Sequence, residues 1–220
     1  MQQLLLDLLP AHPPSLDNFV PGGNGEALAA LTGWLAGADS GFSLHLWGEG
    51  ASGKTHLLLA SDFEYIDASL QPSLLPLHER EAAPYALAID NVEALDGEGQ
   101  IALFNHFNRA RHAGGRLLTA APQPPRHLAL REDLRTRLGS GLICRLHALS
   151  DDEKLAALST QAGERAMKLP PEWLTYLLRQ APRDMRTLSA VIVALDRYSL
   201  EHKRAITLPL LREVLQESHL

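Results

Sequence analysis

Gly48, Gly53, Lys54 and Thr55 stand in the stretch LWGEGASGKTHLL at the spacing G-x-x-x-x-G-K-[ST]. A glycine-rich loop at this spacing can turn backbone N–H groups inward around a phosphate, and a helix beginning at its end adds a positive pole. In such a loop Lys54 reaches the outer phosphate oxygens and Thr55 Oγ coordinates Mg²⁺. Gly50, Ala51 and Ser52 between the glycines, and His56 just after, complete the candidate cradle. The loop also needs a carboxylate on a neighbouring strand to hold the Mg²⁺ shell. YALAIDN supplies an apolar run ending in Asp90. A hydrolysing site of this kind places a second carboxylate next, to polarise the attacking water. Here that position is Asn91, whose amide cannot accept a proton, and Glu93 is out of step by two residues. The set is equipped to hold a nucleotide with Mg²⁺ and poorly equipped to cleave it.

These residues need a sheet to carry them. SLHLWG, FEYIDA, YALAIDN, GRLLTAA and GLICRLHAL read as strands, and NGEALAALTGWLAG and GQIALFNHFNRARHAG have the apolar spacing of helices. The run THLLLA after the loop is also helix-like. Alternation of this kind predicts an α/β fold, a parallel sheet flanked by helices. From Ser150 onward only helical patterns follow. Ser150 with Glu153 has the spacing of a capping box, Pro171 sits at a helix-opening position, and Met185, Leu188, Ile192 and Leu195 form one stripe. The expected organisation is an extended tail over residues 1–14, a nucleotide-binding α/β domain over 15–148 and a small all-α lid over 149–220.

Composition narrows the function classes. Of the 220 residues 45% are hydrophobic, enough for a sizeable core. A formal net charge of −6 argues against a chain built to coat nucleic acid. The single cysteine, Cys144, precludes an internal disulfide and suits a reducing compartment, with a buried apolar role expected for the thiol. The N-terminus lacks a basic segment and Asp7 interrupts its leucines, so it makes a poor secretory signal. With no apolar run near the ~18 residues of a membrane span, the expected location is the cytoplasm. The ten histidines lack zinc-site spacing, so Mg²⁺ is the only metal expected.

Several stretches together resemble the DnaA group of AAA+ ATPases, and the resemblance covers essentially the whole chain. NFVPGGNGEAL is similar to the group's opening box, in which a Phe-Val pair (here Phe19 and Val20) and a G-x-N turn lie beside the adenine. EGASGKTHLL and LAIDNVEAL fit the same group. QPPRHLALREDLRTRLGSGLICRLHALSDDEKLAAL resembles the segment joining its sheet to its lid, and PRDMRTL the lid-helix start that brings Arg186 to the phosphates. The resemblance implies a P-loop AAA+ module with a helical lid, holding ADP or ATP with Mg²⁺. It implies that Arg137, in LRTRLGSGL, is an arginine finger acting in trans on a neighbour's nucleotide, with Arg135 a weaker candidate. As an isolated feature Arg137 could equally be a sheet-end arginine paired with Glu132 or Asp133.

The chain stops at Leu220 without the helix-turn-helix domain by which the initiator reads DNA, so no direct sequence-specific DNA binding is expected. The tail QLLLDL resembles the sliding-clamp-binding peptide of the group's regulatory members. In an extended strand Leu4, Leu6 and Leu8 point to one side and could enter an apolar groove, with Gln3 offering amide hydrogen bonds. The implied partners are the DnaA initiator and the sliding clamp (the β subunit of DNA polymerase), with a homodimer open and no membrane. The implied function is an adaptor with weak hydrolysis of its own. With DNA-loaded clamp it stimulates hydrolysis of DnaA-bound ATP and represses re-initiation of replication. The rivals are a self-sufficient P-loop ATPase, such as a loader or remodeller, and a DNA-binding initiator fragment. Three departures bear on hydrolysis. The group's polar residue after the fourth strand is not evident where Ala120, Ala121 and Pro122 stand, so either Thr119 stands in or the contact is lost; the interval from Lys54 to Asp90 is short; and Asn91 follows Asp90.

Overall fold

A computed structural model of the chain describes residues 13–38, 41–78, 86–167, 169–181, 184–202, 206–209 and 211–212. The tail with Gln3, Leu4, Leu6 and Leu8 lies outside the described residues. The chain divides into two compact units, Pro14–Ala148 and a helical one that takes in Leu149–Leu220.

The first unit holds five strands: β1 (Ser43–Gly48), β2 (Glu64–Asp67), β3 (Ala86–Asp90), β4 (Arg116–Ala121) and β5 (Leu142–Leu146). They form one sheet in the order β2-β3-β4-β1-β5, and every pairing is parallel. Parallel strands need crossovers, and helices α2 (Lys54–Leu59), α3 (Leu75–His78), α4 (Gly97–His112) and α5 (Glu132–Leu138) lie between successive strands, while α1 (Gly25–Leu35) precedes β1. The α/β layering expected from the alternating pattern is therefore present. Side chains alternate across the sheet with period two. Leu44, Leu46, Ala88, Leu118 and Ala120 face Leu31 and Trp34 of α1 and Leu57 and Leu58 of α2. Leu87, Ile89, Leu117 and Ala121 face Leu103 and Phe107 of α4 and Leu134 and Leu138 of α5. Both faces are covered, which is why these strands read as continuous apolar runs.

Two polar contacts lock the layers. Arg116 donates to the carbonyls of Leu35 (3.0 Å) and Trp34 at the end of α1, and its guanidinium lies 4.1 Å from the Trp34 ring centroid. A cation there suits both the helix-end carbonyls and the helix dipole. On the α4–α5 face, His45 of β1 is 1% exposed, and its Nδ1 lies 2.8 Å from Thr119 Oγ1 on β4. Its Nε2 is 3.5 Å from the Gln123 carbonyl oxygen. A carbonyl only accepts, so Nε2 carries the proton and Nδ1 accepts from Thr119. Thr119 therefore sits inside the strand, occupied by His45, and is not a free polar group past its end.

The helical unit contains α6 (Asp151–Glu164), α7 (Pro171–Gln180) and α8 (Met185–His202). The reciprocal Ser150–Glu153 capping box opens α6, and Pro171 opens α7. Asp184 accepts from the Thr187 N–H (2.8 Å) at the start of α8. Leu158, Leu174, Leu177, Leu178, Leu188, Val191, Ile192, Leu195 and Leu211 make its core, with Met185 partly buried against them. Two local readings need correction. The GLICRLHAL run forms a strand only to Leu146, and EDLRTRL, not assigned to a helix from its pattern, forms α5 because Leu134 and Leu138 pack under the sheet. Among the described residues no helix is long and apolar enough to cross a membrane.

Burial lowers the His45 pKa to about 4, partly opposed by the bond to Gln123. The unfolded chain thus binds a proton at His45 between about pH 6.5 and pH 4 that the folded chain refuses, so stability is lost as pH falls through that window. Urea unfolding should show wild type losing about 2–3 kcal/mol more than His45→Gln between pH 7.5 and pH 4.5. Equal losses would mean that His45 is protonated in the fold.

Candidate functional site

The C-terminal ends of parallel strands share one edge, and the residues with chemical potential gather there. β1 ends at Gly48 and α2 begins at Lys54, with the cradle between them. Gly53 has φ +91°, and a Cβ on it would stand 2.6 Å from Phe19 Cε2. Only glycine satisfies both the left-handed backbone and that contact. Gly50 and Ala51 form the exposed turn, Ala51 at φ +57°, while Ser52 is buried beneath it. Lys54 Nζ donates to the carbonyls of Gly48 (2.7 Å) and Glu49 (2.7 Å) and to Ser52 Oγ (3.3 Å). Burial holds the Lys54 ammonium below its ordinary pKa, against the opposing charges of Asp90 and Glu93.

Phe19 is packed under the loop at Gly53, with its ring 5.5 Å from that of His56. His56 Nε2 lies 2.9 Å from the Ser15 carbonyl oxygen, so the segment before α1 is tied to the loop's helix. Val20, half-buried, follows Phe19. The structure thus brings Phe19 and His56 to the base of the loop.

Asp90, 1% exposed at the end of β3, is the hub of the site. Its Oδ2 accepts from Thr55 Oγ1 (2.5 Å) and from Tyr65 Oη (3.3 Å), and its Oδ1 accepts from the Asn91 N–H (2.9 Å). Thr55 and Asp90 are therefore joined directly. Asn91 has φ +53°, and its side-chain amide donates to Asp67 Oδ1 (2.8 Å) on β2. The side chain at the second-carboxylate position is thus bound to the next strand. Burial raises the Asp67 carboxyl, but hydrogen bonds from Asn91 and Ser69 hold it below its ordinary pKa. Burial and the charges of Asp90 and Asp67 raise the Tyr65 hydroxyl, keeping it a proton donor. Glu93 lies exposed on the 3₁₀ turn Val92–Ala94.

Tyr65 and Asp67 were missed in the sequence. The available signal was FEYIDA itself, a strand that puts a phenol and a carboxylate two residues apart beside the strand bearing Asp90. Arg137 stands in the last turn of α5, half-buried, with its guanidinium 5.8 Å and 5.9 Å from the ring centroids of Phe104 and Phe107. Its alternative partner Asp133 is bonded to Arg131 at 2.8 Å. Arg135 is half-buried in the same turn. Arg186 is exposed in the first turn of α8, in the other unit. Cys144 is buried, which pushes its thiol pKa up. Among the described residues no group of three or more His, Cys, Asp or Glu could hold a metal ion.

Residues 151–215 match the family model described as "Hda, lid domain". Over those residues the helical unit is similar to an Hda lid domain. Solved structures extend the likeness of fold beyond that lid. Domain III of the replication initiation protein DnaA from Thermotoga maritima is 22% identical with a TM-score of 0.70, over 94% of this chain and 98% of that one. AMPPCP-bound DnaA from Aquifex aeolicus is 21% identical with a TM-score of 0.64, over 86% and 66%. The RuvB Holliday junction branch migration motor of Thermotoga maritima is 16% identical with a TM-score of 0.64, over 97% and 76%. The likeness is one of fold: a parallel five-stranded sheet flanked by helices, as in these proteins, followed in the chain by helices that match the Hda lid model.

The Asn91–Asp67 contact can be tested directly. Asn91→Asp sets two carboxylates at hydrogen-bond distance, and like charges so placed should cost about 1–2 kcal/mol at pH 7. The loss should shrink toward pH 4 as the pair takes up a proton. Urea unfolding at both pH values reads it; unchanged stability at pH 7 would show that Asn91 does not face Asp67.

Proposed function

We propose that this chain is an Hda-type AAA+ adaptor. It holds ADP or ATP with Mg²⁺ in its own loop and lends Arg137 to ATP bound on a DnaA-type initiator. The observation that carries this reading is the commitment of Asn91. Beside a complete phosphate loop and an Asp90 joined to Thr55, the position that would activate water holds an amide bonded to Asp67. Such a site retains a nucleotide without a built-in base. The Hda lid match and the DnaA-like fold support a replication regulator, and Arg137 is half-buried beside Phe104 and Phe107 rather than enclosed in the core.

In the proposed reaction, Lys54 and the loop N–H groups hold the phosphates of the adaptor's own nucleotide, Thr55 and Asp90 hold its Mg²⁺, and Arg186 contacts it from the lid. Phe19 and Val20 line its base side. Gln3, Leu4, Leu6 and Leu8 dock on the sliding clamp, which brings the adaptor to DNA. Arg137 then neutralises charge developing on the initiator's γ-phosphate, while the water-activating groups belong to the initiator.

Reconstituted hydrolysis of DnaA-bound ATP, with and without DNA-loaded clamp, tests this. Wild type should accelerate it only with clamp, and Arg137→Ala should lose about 10³-fold of the acceleration while binding clamp and nucleotide normally. Rapid turnover by the chain alone would instead favour a self-sufficient ATPase. Gln3→Ala combined with Leu6→Ala should abolish capture by immobilised clamp and spare nucleotide binding; retained capture would remove the tail from the account.

A further inference from the structure

Asn24 closes the 3₁₀ turn Gly22–Asn24 that leads into α1 and is 3% exposed. Its side chain binds one distant residue at two points. Nδ2 donates to the His147 carbonyl oxygen at 2.9 Å, and Oδ1 accepts from the His147 N–H at 2.7 Å. The carboxamide thus continues the hydrogen bonding of β5 one residue beyond the strand, as another peptide group would.

His147 follows Leu146, the last residue of β5, which pairs in register with Gly48, the first glycine of the cradle. The contact there admits no side chain, since a Cβ on Gly48 would fall 2.0 Å from the Leu146 carbonyl oxygen and 3.2 Å from Ser52 Oγ. The Gly48 carbonyl in turn accepts from Lys54 Nζ at 2.7 Å. A continuous chain of contacts therefore runs from Asn24 through His147 and Leu146 to Gly48 and Lys54. The end of β5 is gripped between the Asn24 amide on one side and the loop's first glycine on the other.

We propose that Asn24 is a positioning residue for the phosphate loop rather than a reader of the base. By clamping His147 it presses Leu146 against Gly48 and keeps the loop's entry, with the carbonyl that meets Lys54, at the spacing a phosphate requires. Residue 147 is also among the last of its unit before Leu149, so loop occupancy tightens the segment from which the chain leaves the sheet. This inference rests on the reading of the loop as a phosphate site and not on the action of Arg137.

Calorimetry with two probes separates the roles. Mg²⁺-tripolyphosphate has no base, whereas Mg²⁺-ADP has one. Asn24→Ala should weaken both by a similar factor, about tenfold, since the two hydrogen bonds that hold His147, and through Leu146 the loop's first glycine, are lost. Asn24→Asp, which keeps the acceptor for the His147 N–H but sets a buried carboxylate oxygen against the His147 carbonyl oxygen, should weaken both probes at least as much as Asn24→Ala. Weakened ADP binding with unchanged tripolyphosphate binding would make Asn24 a base contact and overturn the proposal, as would no change for either probe. Wild type binding neither probe would instead show that the phosphate-site reading fails. A measurement on the unaltered chain needs no variant: amide hydrogen exchange at His147 should slow at least several-fold on adding Mg²⁺-tripolyphosphate. Exchange indifferent to the ligand would overturn the coupling.

Discussion

The hydrogen bond from Thr55 Oγ1 to Asp90 Oδ2, at 2.5 Å, is the constraint on which the rest of the first unit depends. It joins the first turn of the helix after the phosphate loop to the end of a strand two places away in the sheet. For it to form, β4 must lie between β1 and β3, all strands must run parallel, and α2 must lie on the Ala88–Leu118 face. A buried carboxylate is tolerated only when its lone pairs are occupied. Asp90 meets that condition with donors from Thr55, Tyr65 and its own neighbour's N–H.

The same economy of partners explains the orientation of Asn91. With Asp90 satisfied by the Asn91 backbone, the Asn91 side chain is free to meet Asp67 on the adjacent strand, and the left-handed backbone at this residue directs it there. Asparagine tolerates that conformation better than most residues. The consequence is chemical: Thr55 and Asp90 converge, while the position after Asp90 holds an amide that cannot accept a proton and is turned to Asp67. Under the proposed function the missing groups belong to the partner, and Arg137 is what this chain contributes.

Much of the fold was legible because its rules are local. The apolar runs of the five strands, the helical spacing in GQIALFNHFNRARHAG, the Ser150–Glu153 capping box and Pro171 at a helix opening each depend on residues within one or two turns. The loop was legible as a glycine-rich turn between a strand and a helix because its spacing lies within eight residues, and the structure places it between β1 and α2. Helix α5 was not, since EDLRTRL has little apolar periodicity and is held by Leu134 and Leu138 packing on distant strands. Thr119 was open to two readings in the sequence, and only the opposing register of His45 showed where its hydroxyl goes.

The sequence by itself thus determined which residues could bind phosphate, which strand would supply the carboxylate, and that an amide follows it. Only the tertiary structure decided that Tyr65 joins Asp90, that Asn91 turns to Asp67, that Arg137 rests on two phenylalanines and that Asn24 grips His147. The physical reason is one of range. Helix caps, strand alternation and loop spacing are set by neighbours in the chain, whereas a side-chain hydrogen bond is set by whatever atom the completed sheet brings within about 3 Å. Residues 24 and 147 are 123 positions apart, and no local rule connects them until β5 has paired with β1.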